Sequence, residues 1–122
     1  MTVLRVVIAD DQGIVRGGLR MILEAAGMEV VGEAADGRAA IDLVTRTRPD
    51  VVLMDIRMPG VDGISATRQI TRDHPTVKIL ILTNLAQNKA SQEALKAQAD
   101  GYIVKADIVP SELVEVVKNL IG

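Results

Sequence analysis

The 122-residue chain contains no cysteine, tryptophan or phenylalanine, and Tyr102 is its only aromatic residue. Without cysteine, disulfides, thiolate nucleophiles and thiolate-bound metals are excluded, and this composition fits a reducing cytoplasm. No apolar run approaches the length that a membrane-spanning helix needs. The N-terminus leads directly into a strand-like segment and lacks the pattern of a signal peptide. We therefore expect a soluble cytoplasmic protein that does not contact a membrane.

The charge balance is slightly acidic, with a net charge of -2 and a pI near 5.3. A surface that binds nucleic acid directly needs a basic stripe, so this chain is not expected to have one. A length of 122 residues corresponds to one domain that can fold without disulfides or metals. The sequence shows no linker, internal repeat or low-complexity segment. We expect a single domain over residues 1–122.

Apolar runs typical of strands alternate with helical patterns along the chain. Continuous Val/Ile/Leu runs precede Asp10, Asp55 and Thr83, and such runs are typical of central parallel strands covered on both faces. Shorter, mixed runs at Val30-Val31 and at 101–104 predict edge strands. Three sets of residues recur at helical spacing and predict three helices: Val15, Leu19, Ile22 and Ala26; Ala40, Leu43, Val44 and Thr47; Leu113, Val116, Val117 and Leu120. Weaker patterns predict helices from Asp62 to about His74 and from Ala86 to about Ala99.

Short polar and proline-containing segments separate these elements. Asp36-Gly37 and Asp62-Gly63 are suited to begin helices, because an aspartate side chain can accept from the free backbone N–H groups there. Prolines mark further boundaries at positions 49, 75 and 110. The pattern predicts an α/β fold with a regular (βα)5 order.

Residues with reactive side chains follow four of the predicted strands. They are Asp10 and Asp11, Asp55, Thr83, and Lys105. The carboxyl ends of parallel strands share one crevice in an open α/β sheet, so these groups are expected to converge. Each residue alone has a simpler interpretation: the acidic pair as a helix cap or turn, Asp55 as part of a turn, Thr83 as a polar strand end, and Lys105 as a solvated charge. Their joint placement favours one functional site.

These motifs resemble the receiver domain of bacterial two-component response regulators. The resemblance runs through Val-Val-Ile-Ala-Asp10-Asp11, Asp55-Ile-Arg-Met-Pro-Gly-Val-Asp-Gly63, Ile-Leu-Thr83 and Asp-Gly-Tyr102-Ile-Val-Lys105. It covers essentially the whole chain, and the segment up to about Arg72 is most similar to receivers with a C-terminal helix-turn-helix output domain. The resemblance implies a flavodoxin-like three-layer sandwich with a parallel five-stranded sheet in the order 2-1-3-4-5.

The resemblance also implies a role for each site residue. Asp55 would be the phosphoacceptor that takes a phosphoryl group from a sensor histidine kinase. Asp10, Asp11 and Asp55, with the backbone carbonyl of Arg57, would bind Mg²⁺. Lys105 and Thr83 would contact the phosphoryl oxygens.

The same resemblance implies a conformational switch and a set of partners. Thr83 and Tyr102 would form the switch that responds to phosphorylation. Such a module is not an enzyme acting on other molecules, since it performs only phosphotransfer onto itself and autodephosphorylation. The resemblance is compatible with a homodimer and with a DNA-binding output domain that this chain does not contain.

Two positions depart from the family pattern. Asn84 stands where a small residue is usual, and a bulkier amide there could restrict the pocket or alter attack by water on the acyl phosphate. Ala106 stands where many receivers have a proline after the lysine. That proline helps to fix the following loop, so the sequence defines the geometry of Lys105 less well than the position of Asp55. Both positions bear on the lifetime of a phosphorylated state.

Two other function classes fit the sequence less well. A haloacid dehalogenase-type phosphatase would need a second acid two residues after its nucleophile, where this chain has Gln12 or Arg57. A flavodoxin-like cofactor module would need a phosphate-cradling loop after the first strand, where Asp10 and Asp11 would repel a phosphate.

The distribution of basic residues leaves a further alternative open. All arginines lie at or before Arg72, and all lysines lie at or after Lys78. Chance and the need for Lys105 are one explanation. The other is a natural or engineered chimera joined between Arg72 and Lys78, which would keep the receiver fold and have impaired signalling.

Overall fold

The computed structural model describes residues 3–84 and 87–122, in which strands and helices alternate. The strands are β1 (Arg5–Ala9), β2 (Glu29–Ala34), β3 (Val51–Asp55), β4 (Lys78–Thr83) and β5 (Gly101–Val104). The helices are α1 (Gly13–Ala25), α2 (Gly37–Thr47), α3 (Gly63–Asp73), α4 (Gln87–Ala97) and α5 (Pro110–Ile121), with a short 3-10 turn over Lys105–Asp107. The predicted (βα)5 order is confirmed, although the predicted helix start at Ala86 lies outside the described residues.

The sheet is parallel throughout, and its order is β2-β1-β3-β4-β5, as predicted. The continuous apolar runs form the three central strands, and the shorter runs form the edges. Successive residues of β1 face opposite layers: Val6 and Ile8 pack with α1 and α5, whereas Val7 and Ala9 pack with α2 and α3. This alternation follows from the strand period of two and buries both faces of the sheet. The result is the predicted three-layer sandwich.

The start of α3 is fixed tightly against the end of β3. Asp62 caps the helix by accepting a hydrogen bond from Ser65 N at 2.7 Å, as the sequence predicted. Gly63 follows, and its N–H donates to the Ile56 carbonyl at 2.8 Å. A Cβ atom added to Gly63 would lie only 1.8 Å from the Asp55 carbonyl oxygen. Only glycine therefore allows α3 to approach the strand end that carries Asp55.

Helix α1 packs on a somewhat different face from the one predicted. Leu19 and Leu23 are its buried residues, whereas Val15 and Ile22 are only partly buried. Leu19 and Leu23 are four residues apart, so they lie one above the other on a single face. The predicted stripe included Leu19 and missed Leu23. Ala26, also in that stripe, is the residue that caps the helix C-terminus.

Candidate functional site

Asp10 follows β1 directly, and each of its polar groups has a partner. Its N–H donates to the Ala34 carbonyl of β2 at 3.0 Å. Its Oδ1 accepts from Gln12 N at 2.9 Å, and its Oδ2 accepts from Lys105 Nζ at 2.5 Å. Its backbone carbonyl accepts from Arg16 Nη1 at 2.7 Å. These bonds compensate the loss of hydration of a side chain that is almost fully buried.

The acidic pair does not cap the helix that follows it. The N-cap of α1 is Gln12, and no side chain makes a capping hydrogen bond there. Asp10 instead forms an Asx turn with the N–H two residues on. Asp11 is exposed at the mouth of the site. The turn interpretation thus holds for Asp10, and the capping interpretation fails for both.

Asp55 is the last residue of β3, and its carboxylate lies beside the Lys105 ammonium. Lys105 Nζ is 3.4 Å from Asp55 Oδ1 and closer, at 2.5 Å, to Asp10 Oδ2. Its side chain retains only 13% of its exposure. Lys105 thus contacts both carboxylates, and the shorter contact is to Asp10. One ammonium group therefore forms ion pairs with two buried carboxylates.

The environment of Asp55 disfavours its charged form. Burial raises the pKa of this carboxyl above its ordinary value, the Lys105 ammonium opposes that rise, and the Asp10 carboxylate adds to it. The net direction is upward, because one lysine shared between two carboxylates does not offset the loss of hydration. A further cation in the site would favour the ionised form.

The three aspartates form a group that suits a hard divalent cation. Asp10, Asp11 and Asp55 each offer a carboxylate oxygen, and these oxygens all lie within 4.8 Å of one another. Mg²⁺ prefers oxygen ligands and is commonly bound by one or two carboxylates together with water. Two of the carboxylates are buried and the third is exposed, which leaves the group open on one side. The donor set therefore fits Mg²⁺.

A small polar cavity lies above this group at the carboxyl edge of the sheet. Its volume is about 180 Å³. It is lined by Asp11, Gln12, Asp55, Arg57, Thr83, Asn84 and Lys105. Thr83 ends β4 and is buried at 1% exposure. The structure thus brings the chemically active residues of four strand ends to one place, as the sequence predicted.

The two departures from the family pattern have different positions. Asn84 is exposed and lines the cavity, so it is placed to affect access to Asp55. Ala106 lies within the 3-10 turn that follows β5 and is exposed. That turn begins at Lys105 and is the local structure that fixes its backbone.

Tyr102 lies away from the cavity on the edge strand β5. Its neighbour in register is Ile81 of β4, and it is half-buried against the cluster that includes α2 and α3. Thr83 pairs in register with Val104, two residues further along β5. The two predicted switch residues therefore belong to adjacent strands.

The sequence reasoning missed Gln12 and Arg16. Gln12 lines the cavity and donates its N–H to Asp10. Its place two residues after an aspartate is the sequence signal of an Asx turn. Arg16 binds the Asp10 carbonyl and also pairs with Glu33 of β2. No local spacing rule would have linked Arg16 to Glu33, because they meet only when β2 lies beside β1.

Comparison with known proteins identifies closely similar sequences. The model of the response regulator receiver domain family matches residues 6–118. An uncharacterized transcriptional regulatory protein of Bacillus subtilis, YxjL, is 42% identical over 116 residues, covering 94% of this chain and 53% of the relative. The response regulator UvrY of Escherichia coli K12 is 40% identical over 118 residues, covering 96% of this chain and 54% of the relative. The chain spans about half the length of these curated relatives.

Solved structures agree with the fold. A LuxR-family two-component response regulator from Aurantimonas sp. SI85-9A1 superposes with a TM-score of 0.91 at 38% identity, covering 98% of this chain and 86% of the other. The response regulator domain of Thermotoga maritima CheB gives a TM-score of 0.89 at 30% identity, covering 98% and 97%.

The family match is continuous across residues 72–78, so nothing in the comparisons supports a chimeric join there. Among residues 3–84 and 87–122, no helix is both long enough and apolar enough to cross a membrane.

Proposed function

Because this chain belongs to the response regulator receiver domain family, we propose that it is a phosphoacceptor module in which Asp55 takes a phosphoryl group from a sensor histidine kinase. The observation that carries this proposal is the convergence of Asp10, Asp11 and Lys105 on Asp55 beside one polar cavity. Converging charged groups of this kind are what phosphoryl transfer needs, since positioning and charge neutralisation dominate its catalysis.

The transfer forms one bond and breaks another at phosphorus. A carboxylate oxygen of Asp55 attacks the phosphorus atom of a phosphohistidine, the new P–O bond forms, and the P–N bond to imidazole breaks. The imidazole leaves with the bonding electrons and takes up a proton. Asp55 must be ionised to attack, and Lys105 at 3.4 Å favours that form.

Asp10, Asp11, Asp55 and the backbone carbonyl of Arg57 would hold Mg²⁺. When bound, the ion would neutralise the negative charge that gathers on the carboxylates and the phosphoryl oxygens. Asp10 is held for this role by its Asx turn and by the Ala34 carbonyl. Arg57 follows β3 by two residues and lines the cavity, which supports its backbone carbonyl as a further ligand.

Lys105 and Thr83 would act on the phosphoryl oxygens after transfer. The Lys105 ammonium sits between two carboxylates and can move toward a new negative group on Asp55. Thr83 lines the same cavity from the end of β4, and its hydroxyl would donate to another oxygen. Asn84, beside it, is placed to influence how water reaches the acyl phosphate and so the rate of autodephosphorylation.

The module would act only on itself, as phosphoacceptor and in autodephosphorylation, and would not turn over other substrates. Its partners would be the kinase, a second copy in a homodimer, and a DNA-binding output domain outside this chain. We place this signalling in the cytoplasm, where residues 1–122 would serve as the receiver domain.

The response would pass from Thr83 to Tyr102 as a two-state change in packing. Beryllofluoride, which mimics a phosphoryl group, should shift amide NMR signals around Asp10, Asp55 and Thr83 and also that of Tyr102. Shifts confined to the loops around the first three residues would show that no switch reaches β5.

The phosphoacceptor role is tested by intact mass after incubation with acetyl phosphate, with and without Mg²⁺. We expect a single added phosphoryl group only when Mg²⁺ is present, and none in Asp55→Asn. Labelling that survives this substitution would identify a different nucleophile.

A further inference from the structure

Arg16, the fourth residue of α1, links the acidic loop to the edge strand β2. Its Nη1 donates to the Asp10 carbonyl at 2.7 Å, and its Nε donates to Glu33 Oε1 at 3.1 Å. The second carboxylate oxygen of Glu33 accepts from Arg20 Nη1 at 2.5 Å. The Arg16 guanidinium is therefore held in place by Glu33 while it holds the Asp10 carbonyl.

Glu33 is suited to this anchoring role. The hydrogen bond from Arg20 lowers the pKa of Glu33, desolvation opposes that effect, and the hydrogen bond from Arg16 adds to the lowering. Glu33 is thus ionised at neutral pH and pairs with both arginines. A guanidinium has a rigid fork of donors, which lets Arg16 bind a carboxylate and a carbonyl at the same time.

The bond to the Asp10 carbonyl fixes more than one residue. The peptide unit between Asp10 and Asp11 is a rigid plane that contains this carbonyl and the Asp11 N–H. Holding its oxygen at 2.7 Å restricts rotation of the whole plane, and that rotation would swing the Asp11 Cα and side chain. Asp11 is exposed, so packing does not fix it. Among the hydrogen bonds of the described residues, the Arg16 bond is the one that reaches this peptide from outside the loop.

We propose that Arg16, anchored by Glu33, is a positioning residue that sets the orientation of Asp11 for cation binding. This inference deepens the proposed function and depends on it, because it assumes that the three aspartates bind Mg²⁺. Removal of a group that orients a metal ligand through a hydrogen bond commonly lowers the metal affinity by about tenfold or more.

The direction of the effect separates positioning from simple charge. A guanidinium near the aspartates repels a cation, so its removal would tighten Mg²⁺ binding if charge alone mattered. Loss of orientation would weaken binding. The two explanations therefore predict opposite changes for Arg16→Gln.

Arg5 provides a matched control at the opposite end of the sheet. Its Nη1 donates to the Thr47 carbonyl at 2.7 Å, and its Nε lies 3.7 Å from Glu29 Oε1 of β2. It thus combines a carbonyl bond with an ion pair to the same strand, but far from Asp10. Arg5→Gln should lower stability without changing Mg²⁺ affinity.

The experiment is a Mg²⁺ titration of the whole chain followed by amide NMR, for the parent, Arg16→Gln, Arg16→Lys and Arg5→Gln. The Asp11 and Asp55 amides report binding, and the spectrum itself reports folding. We expect the Mg²⁺ Kd to rise at least about fivefold in Arg16→Gln and at least about twofold in Arg16→Lys, which keeps the charge but not the fork.

A smaller rise in Arg16→Gln, or tighter binding, overturns the proposal. If Arg16→Gln does not fold, Arg16→Lys decides: a Kd within about twofold of the parent overturns it, and a larger rise supports it. A parent chain that fails to bind Mg²⁺ would contradict the proposed function itself. A parent that binds normally alongside an unaffected Arg16→Gln would contradict only the role of Arg16.

Discussion

Replacement of Gly63 by alanine should disturb both the stability of the fold and the position of the phosphoacceptor. The added Cβ would lie 1.8 Å from the Asp55 carbonyl oxygen, 2.7 Å from its carbonyl carbon and 2.9 Å from the Ile56 Cα. All three are backbone atoms, so no flexible side chain can move aside. Helix α3 or the end of β3 must shift by about 1.6 Å or more to restore ordinary contact distances.

The magnitude follows from the contacts that such a shift disturbs. Overpacking of a tight contact costs about 1–3 kcal/mol. The bond from Gly63 N to the Ile56 carbonyl, now 2.8 Å, would also be lengthened, and a typical buried hydrogen bond contributes about 1 kcal/mol. We therefore expect Gly63→Ala to lower the free energy of unfolding by about 2–4 kcal/mol.

Urea denaturation measured by circular dichroism checks this value, with Gly17→Ala as the matched control. A Cβ added at Gly17 in α1 has no atom within 4 Å, so alanine there should stabilise the helix by about 0.5–1 kcal/mol. The folded fraction of Gly63→Ala should also label more slowly with acetyl phosphate, because the backbone of Asp55 has moved. Equal stability of Gly63→Ala and the parent would refute the reasoning.

Three further predictions concern buried and clustered polar groups, each measured by urea unfolding in metal-free buffer. The raised pKa of Asp55 means that its ionisation destabilises the fold as pH rises from the ordinary value of 3.8 through the folded-state value. The free energy of unfolding of Asp55→Asn should therefore rise relative to that of the parent across that pH window, and the difference should stay constant at higher pH. A difference that is equally large below pH 4 would contradict this reasoning. Asp11→Ala should gain up to about 1 kcal/mol from reduced carboxylate repulsion and lose Mg²⁺ affinity, whereas a loss of stability with unchanged affinity would count against the metal site. Thr67 is fully buried, and its Oγ1 has no hydrogen-bond partner among the described residues. Thr67→Val should therefore stabilise the fold by about 1 kcal/mol. A loss of stability would show that the hydroxyl makes a hydrogen bond.

The sheet could be predicted from sequence because its signals are local. Continuous apolar runs predict β1, β3 and β4 as central strands, and the residues at the ends of those strands predict the site. The helix starts at Asp36 and Asp62 are also predicted by a local signal, because each aspartate side chain accepts a hydrogen bond from the backbone N–H three residues later.

The finer arrangement of the site could not be predicted, because it depends on contacts across several elements. Lys105 lies closer to Asp10 than to Asp55, and these two contact residues, Lys105 and Asp10, are 95 positions apart in the chain. Arg16 meets Glu33 only through the pairing of β1 with β2. The strand ends identified the residues that converge and the family resemblance implied their roles, whereas their hydrogen-bond partners follow only from the structure.

The central claim is that Asp55 alone receives the phosphoryl group. Borohydride reduces an aspartyl phosphate to homoserine, and tandem mass spectrometry then locates the modified residue after incubation with acetyl phosphate and Mg²⁺. The account predicts conversion of Asp55 and of no other aspartate. Conversion of Asp10 or Asp11, or a borohydride-resistant phosphate on Thr83, would contradict it.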